Sequence, residues 1–163
     1  MFVTWRLFGS LPLHSLPKVS DGTAFRDVDR GLDRATAGPL WLKEASVAQS
    51  VVEVIEAAEA ERGLCTLHDY VVMPNHVHLS IKPIADLKEV TKWIKGASAR
   101  KANQLLGRTG QPFWQDESFD HWVRHDPEFE KIRTYIRNNP VHAGLVSRPE
   151  QWPYSSAGRI TPR

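Results

Sequence analysis

Short apolar runs of β type occur in three parts of the chain and predict strands over residues 2–7, 64–73 and 76–82. Only Pro74-Asn75 separates the last two runs, so they are expected to form adjacent strands joined by a tight turn. Residues 113–124 are aromatic and mixed in polarity, and we interpret them as a further extended segment.

Apolar residues at helical spacing predict three helices. The first covers residues 46–62 and ends at Gly63, with one apolar face made of Val47, Val51, Val54, Ile55 and Ala58. The second covers residues 86–106 and ends near Gly107. The third begins at Asp126-Pro127-Glu128, with Asp126 as the predicted N-cap, and should end near Asn139-Pro140. Its core-facing stripe is expected to contain Phe129, Ile132 and Ile136.

The resulting order of strands and helices predicts an α+β fold in which helices cover an antiparallel sheet. Residues 14–40 are rich in Asp, Arg, Gly and Pro with weak periodicity, and we expect helical turns and loop there. The aromatic, Pro-containing tail at residues 152–156 is expected to pack on the same domain. A length of 163 residues fits one domain, residues 1–163.

Composition narrows the class of protein. The chain is 41% hydrophobic and 25% charged, as in soluble globular proteins, and no run approaches the roughly 20 apolar residues of a membrane span. The first residues lack the layout of a secretion signal, and a single cysteine, Cys65, excludes an internal disulfide. These features predict a cytoplasmic protein in which Cys65 is a small buried residue.

The net charge of +2 is too small to indicate a nucleic-acid partner by itself, but basic residues are concentrated in the second helix. Between Asp86 and Arg108 there are six basic and two acidic residues. Such a stripe suits DNA phosphates, and a solvated helix face is the alternative interpretation. The preferred phosphate contacts are Lys88, Lys92, Lys95 and Arg100.

Two histidines in the third predicted strand form a candidate metal site. Because side chains alternate along a strand, Val77, Leu79 and Ile81 should share the buried face and His76 and His78 the other face. Two imidazoles two residues apart lie roughly 7 Å apart along the strand and can converge on one ion. The alternative is that the pair lies on a solvent face by chance.

Tyr135 is a candidate nucleophile in the third helix, beside the core-facing stripe, and Asn139 follows one turn later on the same face. A phenol has an unperturbed pKa of about 10, so as a nucleophile it needs a nearby metal or cation. The alternative interpretation is a half-buried tyrosine with a structural hydrogen bond.

Four segments in order along the chain form recognisable motifs. The two long ones are residues 70–79 (YVVMPNHVHL) and 135–146 (YIRNNPVHAGLV), and the short ones are residues 3–7 (VTWRL) and 152–157 (WPYSSA). Together they resemble the single-tyrosine HUH transposase family, and its REP-associated tyrosine transposase branch most closely. The resemblance implies a ferredoxin-like HUH fold with the histidine pair on a central strand. It also implies Mg²⁺ or Mn²⁺ held by His76, His78 and Asn139, with Tyr135 as the nucleophile.

The resemblance implies cleavage and joining of single-stranded or hairpin DNA through a 5′-phosphotyrosine intermediate. Two alternatives stay open on the sequence: a DNA-binding regulator without strand transfer, and a metal-dependent phosphodiesterase that uses water. Relatives act as monomers or as homodimers that share active sites, and no motif decides between them. Residues 14–45 match none of the family's motifs.

Overall fold

The structure is a computed structural model that describes residues 1–10, 31–32 and 38–159. Four strands form one antiparallel sheet in the order β2-β3-β1-β4. They are β1 (Phe2–Arg6), β2 (Cys65–Val72), β3 (His76–Pro83) and β4 (Phe119–His121).

The described α-helices are α1 (Ala45–Ala60), α2 (Leu87–Leu105) and α3 (Asp126–His142). Short 3₁₀ helices occur at Trp41–Lys43, Pro149–Gln151 and Ser156–Arg159. The order β1-α1-β2-β3-α2-β4, with β3 inserted between the parallel strands β1 and β2, is the ferredoxin-like arrangement. The predicted α+β fold is confirmed, whereas most of residues 14–40 lies outside the described residues.

One face of the sheet packs against α1 and α2. The alternation predicted for β3 is confirmed here, because Val77, Leu79 and Ile81 are buried in the same cluster as residues of both helices. The predicted apolar face of α1 is buried as well, and Gly63 closes the helix with a φ of +60° that favours glycine. Cys65 belongs to this core and is buried, as predicted.

The opposite face of the sheet is covered by α3. Ile136 is fully buried against Phe2, Val71 and Met73, and Ile132 packs at the edge of the same cluster. His76 and His78 lie on this face and are completely buried. The alternative that the two histidines lie on a solvent face is therefore wrong. Strand alternation alone does not show whether this face of β3 is covered, and α3 covers it.

The helix α3 begins one residue earlier than predicted, because its N-cap is His125 and not Asp126. The ring Nδ1 of His125 accepts a hydrogen bond from the backbone N–H of Glu128 at 3.2 Å. Asp126 is the first helical residue, where its charge still favours the positive end of the helix dipole.

The predicted end of α3 near Asn139-Pro140 was wrong, because the helix continues to His142. Pro140 removes only its own N–H, while the carbonyl of Asn139 accepts from Ala143 N at 3.0 Å and that of Pro140 from Leu145 N at 2.9 Å. The backbone of Asn139 thus stays helical, which keeps this residue on the same face as Tyr135.

The tail packs along the outer edge of β2, as predicted. The indole N–H of Trp152 donates to the carbonyl of Val72 at 3.0 Å, and Ser155 forms an antiparallel bridge with Val71. Within the part of the chain that the structure describes, no helix is both long and apolar enough to cross a membrane.

Candidate active site

The imidazole rings of His76 and His78 face each other across the buried side of β3. Their Nε2 atoms are 3.1 Å apart, and both residues are fully buried. Two ligand atoms at about 2.1 Å from one ion, at a right angle, lie about 3.0 Å apart. The spacing of the two nitrogens therefore matches that of two ligands of one divalent cation.

Each ring is held through its second nitrogen. Nδ1 of His76 is 2.7 Å from Oδ1 of Asn75, whose amide nitrogen donates to the carbonyl of Leu32 at 2.9 Å. Because that amide oxygen can only accept, Nδ1 of His76 carries the proton and Nε2 keeps its lone pair. Nδ1 of His78 is 2.7 Å from the Thr4 hydroxyl, which can donate or accept and so serves either tautomer.

Asn139 presents a buried amide on the same side of the sheet. The residue is 1% exposed, and neither Oδ1 nor Nδ2 has a hydrogen-bond partner among the described residues. Buried polar atoms are almost always satisfied, so this amide points to a ligand. Amide oxygen is a suitable donor for Mg²⁺ or Mn²⁺. Among the described residues, no group of three His, Cys, Asp or Glu side chains could hold a metal.

Tyr135 lies against the histidine pair within the same chain. Its ring centroid is 5.5 Å from that of His78, in an edge-on arrangement, and 6.2 Å from that of Phe2. Unlike the histidines, Tyr135 is partly exposed. The nucleophile candidate and the metal-ligand candidates thus meet without a second copy of the chain.

A cavity opens beside His76 and places Asn139 relative to the other groups. Its lining includes Lys43, Asn75, His76 and Ala143. Tyr135 contacts His78 at one end of the pair, and Ala143 lines the cavity at the other end. Asn139 lies in α3 one helical turn from Tyr135 and one turn from Ala143.

A buried ion-pair network fixes α3 to the sheet. The carboxylate of Asp69 in β2 is fully buried and accepts hydrogen bonds from Arg133 Nε at 2.7 Å and Arg137 Nε at 2.6 Å. The two arginines are one turn apart, and they flank the stripe of Ile132 and Ile136 on the side opposite Tyr135. Asp69 therefore sets the position and rotation of the helix that carries the tyrosine.

The predicted DNA-contacting residues are not part of this site. Val90 and Ile94 of α2 pack on the α1 side of the sheet, so α2 lies on the face opposite His76 and His78. Lys88, Lys92 and Arg100 are exposed there.

Lys95 differs from its neighbours in α2 because its ammonium donates to the carbonyls of Gln115 and Asp116, both at 2.8 Å. Burial lowers the pKa of Lys95, and the carboxylates of Asp116 and Glu117 oppose that shift. This ammonium connects α2 to the segment before β4.

Sequence reasoning did not identify Thr4, Asn75 or Asp69 as parts of the site. Thr4 and Asn75 lie within the family-like segments, but no spacing rule relates Thr4 to a histidine 74 residues away. Asp69 offered one signal, a charged residue within an apolar run, which is costly to bury unless it is paired.

Three comparisons with known proteins show what this chain is similar to. The family model of IS200-like transposases matches residues 41–139, which include both histidines, Tyr135 and Asn139. A Haemophilus influenzae protein provisionally named REP-associated tyrosine transposase is 30% identical over 101 residues. That match covers 54% of this chain and 56% of the relative, so the chain spans about half the length of that protein.

A solved structure of a REP-associated tyrosine transposase bound to a REP hairpin has a TM-score of 0.65 to this chain. The match covers 99% of this chain and 78% of the other, with 20% sequence identity, so it concerns the fold. The family model, by contrast, matches more than half of the sequence, and the matched residues include His76, His78, Tyr135 and Asn139. The chain belongs to the family of IS200-like transposases.

Proposed function

We propose that the protein cleaves and rejoins single-stranded DNA next to hairpin-forming repeats, with Tyr135 as the nucleophile. The main observation in support of this proposal is the edge-on contact of Tyr135 with His78, whose Nε2 is 3.1 Å from that of His76. A structural tyrosine needs no such neighbours, whereas a phenol that attacks a phosphate requires positive charge close by.

His76, His78 and Asn139 fit a divalent cation by the nitrogen spacing and by the unpartnered amide. When bound, Mg²⁺ or Mn²⁺ would withdraw charge from the non-bridging oxygens of the scissile phosphate and orient it. Thr4 and Asn75 hold the two rings so that both Nε2 atoms are directed to one point.

Tyr135 would carry out the covalent step. Its oxygen forms a bond to phosphorus as the bond from phosphorus to the 3′ oxygen breaks, which leaves a 5′-phosphotyrosine and a free 3′-hydroxyl. The phenol gives up its proton in this step, and the leaving oxygen gains one. A 3′-hydroxyl of a second strand can then attack the phosphotyrosine, which restores the phenol and joins the strands without ATP.

The substrate class follows from the comparisons and from the charge distribution. A similar fold is known with a REP hairpin bound, and the H. influenzae relative has a corresponding name. The exposed cations of α2, on the far side of the sheet, suit phosphates distant from the cleaved bond. We therefore assign Lys88, Lys92 and Arg100 to the flanking DNA, and not Lys95, whose ammonium donates to two backbone carbonyls.

The test uses labelled single-stranded hairpin DNA from the region around the gene, incubated with the protein and Mn²⁺ and then denatured. We expect a protein–DNA adduct with the parent protein and none with Tyr135→Phe. Tyr154→Phe is the matched control, because Tyr154 lies in the tail, packs on Trp152 and should leave adduct formation unchanged.

The other outcomes identify the alternatives. Cleavage without an adduct, in both the parent and Tyr135→Phe, would indicate a phosphodiesterase that uses water. Tight hairpin binding without cleavage in either protein would indicate a DNA-binding regulator. An adduct that persists in Tyr135→Phe would show that another residue is the nucleophile.

A further inference from the structure

Arg6 in β1 is the cross-strand neighbour of His76. The pairing of β1 with β3 places Thr4 opposite His78 and Arg6 opposite His76. The N–H of Leu7 donates to the carbonyl of Asn75 at 2.8 Å, so the hydrogen-bonded pairs involve the odd-numbered residues of β1. Arg6 and His76 thus form a non-hydrogen-bonded pair, in which Cα atoms are about 4.5 Å apart and side chains are closest.

Within the described residues, the Arg6 guanidinium is buried without a counter-ion in contact. The residue is only 7% exposed, Nη1 donates to the hydroxyl of Ser10 at 3.3 Å, and Nη2 has no hydrogen-bond partner among the residues that the structure describes. Burial lowers the pKa of Arg6, and the exposed carboxylate of Glu117 offsets this only through longer-range attraction. Buried charges in proteins are normally paired, so this guanidinium requires an explanation.

Two arginines of α3, which covers the same face of the sheet, form ion pairs with a buried carboxylate. Arg133 and Arg137 both donate to the buried carboxylate of Asp69 at distances below 3 Å. In the part of the chain that the structure describes, Arg6 has no equivalent acid, although it is more deeply buried than either. Its position next to the histidine pair suggests that the missing anion comes from outside the protein.

We propose that Arg6 binds a non-bridging oxygen of the DNA phosphate that Tyr135 attacks. The inference rests on the proposed function. Tyr135 contacts the His78 end of the pair and Arg6 stands beside the His76 end, so a phosphate over the pair would meet the phenol from one side and the guanidinium from the other. A planar guanidinium donates two parallel hydrogen bonds to phosphate, carries a permanent charge and transfers no proton.

The experiment measures binding rather than turnover. The cleaved linkage is first mapped with the parent protein and Mn²⁺. Hairpin DNA is then made with either an ordinary phosphodiester or a neutral methylphosphonate at that linkage. The dissociation constants of both DNAs are measured in the Tyr135→Phe background with EDTA, so that neither cleavage nor metal contributes.

With Arg6 present, we expect the neutral linkage to weaken binding about 10- to 100-fold, the range for one charge-assisted hydrogen-bonded contact. Arg6→Gln should bind the ordinary DNA weaker by a similar factor and no longer distinguish the two DNAs. Arg6→Lys, which keeps the charge but loses the planar fork, should retain part of the discrimination. Arg62→Gln is the control for loss of one positive charge, because Arg62 is exposed at the end of α1.

Unchanged discrimination in Arg6→Gln would overturn the proposal and leave Arg6 a structural residue. Should Arg6→Gln fail to fold, Arg6→Met decides, since it removes the charge and keeps an unbranched apolar side chain, and unchanged discrimination there would equally overturn the proposal. The failure of the proposed function is recognised separately. If the parent protein forms no adduct and cleaves no linkage, Arg6 has no scissile phosphate to bind, whereas normal adduct formation in Arg6→Gln refutes the role of Arg6 alone.

Discussion

Thr4 and His78, which are 74 residues apart in the chain, are joined by a 2.7 Å hydrogen bond between the hydroxyl and Nδ1. The bond crosses from β1 to β3 at a non-hydrogen-bonded pair, where the two side chains are closest. Because a histidine ligand uses one nitrogen for the metal, the partner of the other nitrogen determines the ring orientation and tautomer. Thr4 therefore controls how His78 presents Nε2.

Replacing Thr4 by valine removes this bond at nearly constant shape. We expect Thr4→Val to weaken Mn²⁺ binding about 10- to 100-fold, the usual effect of losing a hydrogen bond to a ligating histidine. Thr4→Ser keeps the hydroxyl and should bind Mn²⁺ almost as the parent does. Calorimetric titration of both variants measures this, and equal affinity in Thr4→Val and the parent would contradict it.

Asn139→Leu should separate metal binding from stability. Leucine has the shape of asparagine but lacks the two unpartnered polar atoms, so the metal-free protein should gain about 1 kcal/mol in free energy of unfolding. The same variant should lose at least about tenfold in Mn²⁺ affinity, because a donor is removed. Urea unfolding without metal and Mn²⁺ titration give the two values. An unchanged Mn²⁺ affinity would exclude Asn139 as a ligand.

The Asp69 network should dominate the attachment of α3. In the double variant Arg133→Gln/Arg137→Gln, the fully buried carboxylate of Asp69 loses both counter-ions. We expect the free energy of unfolding to fall by about 3–5 kcal/mol. Each single variant should cost less, since the other arginine still neutralises Asp69. Adding Asp69→Asn to the double variant should recover part of the loss. Urea unfolding tests the series, and a double variant within about 1 kcal/mol of the parent would disprove it.

The lysines of α2 should differ in their effect on the salt dependence of DNA binding. Each phosphate contact contributes about one to the slope of log K against log salt concentration, so Lys88→Gln and Lys92→Gln should each lower that slope by about one. Lys95→Gln should leave the slope unchanged, because its ammonium donates to two backbone carbonyls. Fluorescence anisotropy over a range of NaCl concentrations measures the slopes. Equal effects of Lys88→Gln and Lys95→Gln would restore Lys95 as a phosphate contact.

Cys65 provides a pH-dependent measure of folding. Burial raises the pKa of its thiol from 9.0 to about 11, so at pH 8 the folded protein should react with thiol reagents only through unfolding. Between pH 9 and 11 the unfolded chain loses this proton while the folded protein keeps it, so stability should fall as pH rises through that window. The fall should be smaller in Cys65→Ala. Equal pH profiles of the two proteins would contradict the shift.

The candidate residues themselves could be predicted from the sequence because each rests on a local period. Side chains two apart in a strand share a face, which placed His76 and His78 together. Residues four apart in a helix share a face, which placed Asn139 with Tyr135. The order of strands and helices likewise follows from runs of apolar residues a few positions long. All of these relationships involve residues that are only a few positions apart in the sequence.

Tertiary structure decided which face of each element is covered and which residues stand opposite one another. The burial of His76 and His78 depends on α3, more than 50 residues later, and the neighbours Thr4 and Arg6 depend on the register between β1 and β3. A register shift of one residue would turn every side chain of β1 to the other face, and no local pattern specifies it. Packing of α3 on one side and of α1 and α2 on the other selects the register, because only that register places the apolar side chains of both faces in contact.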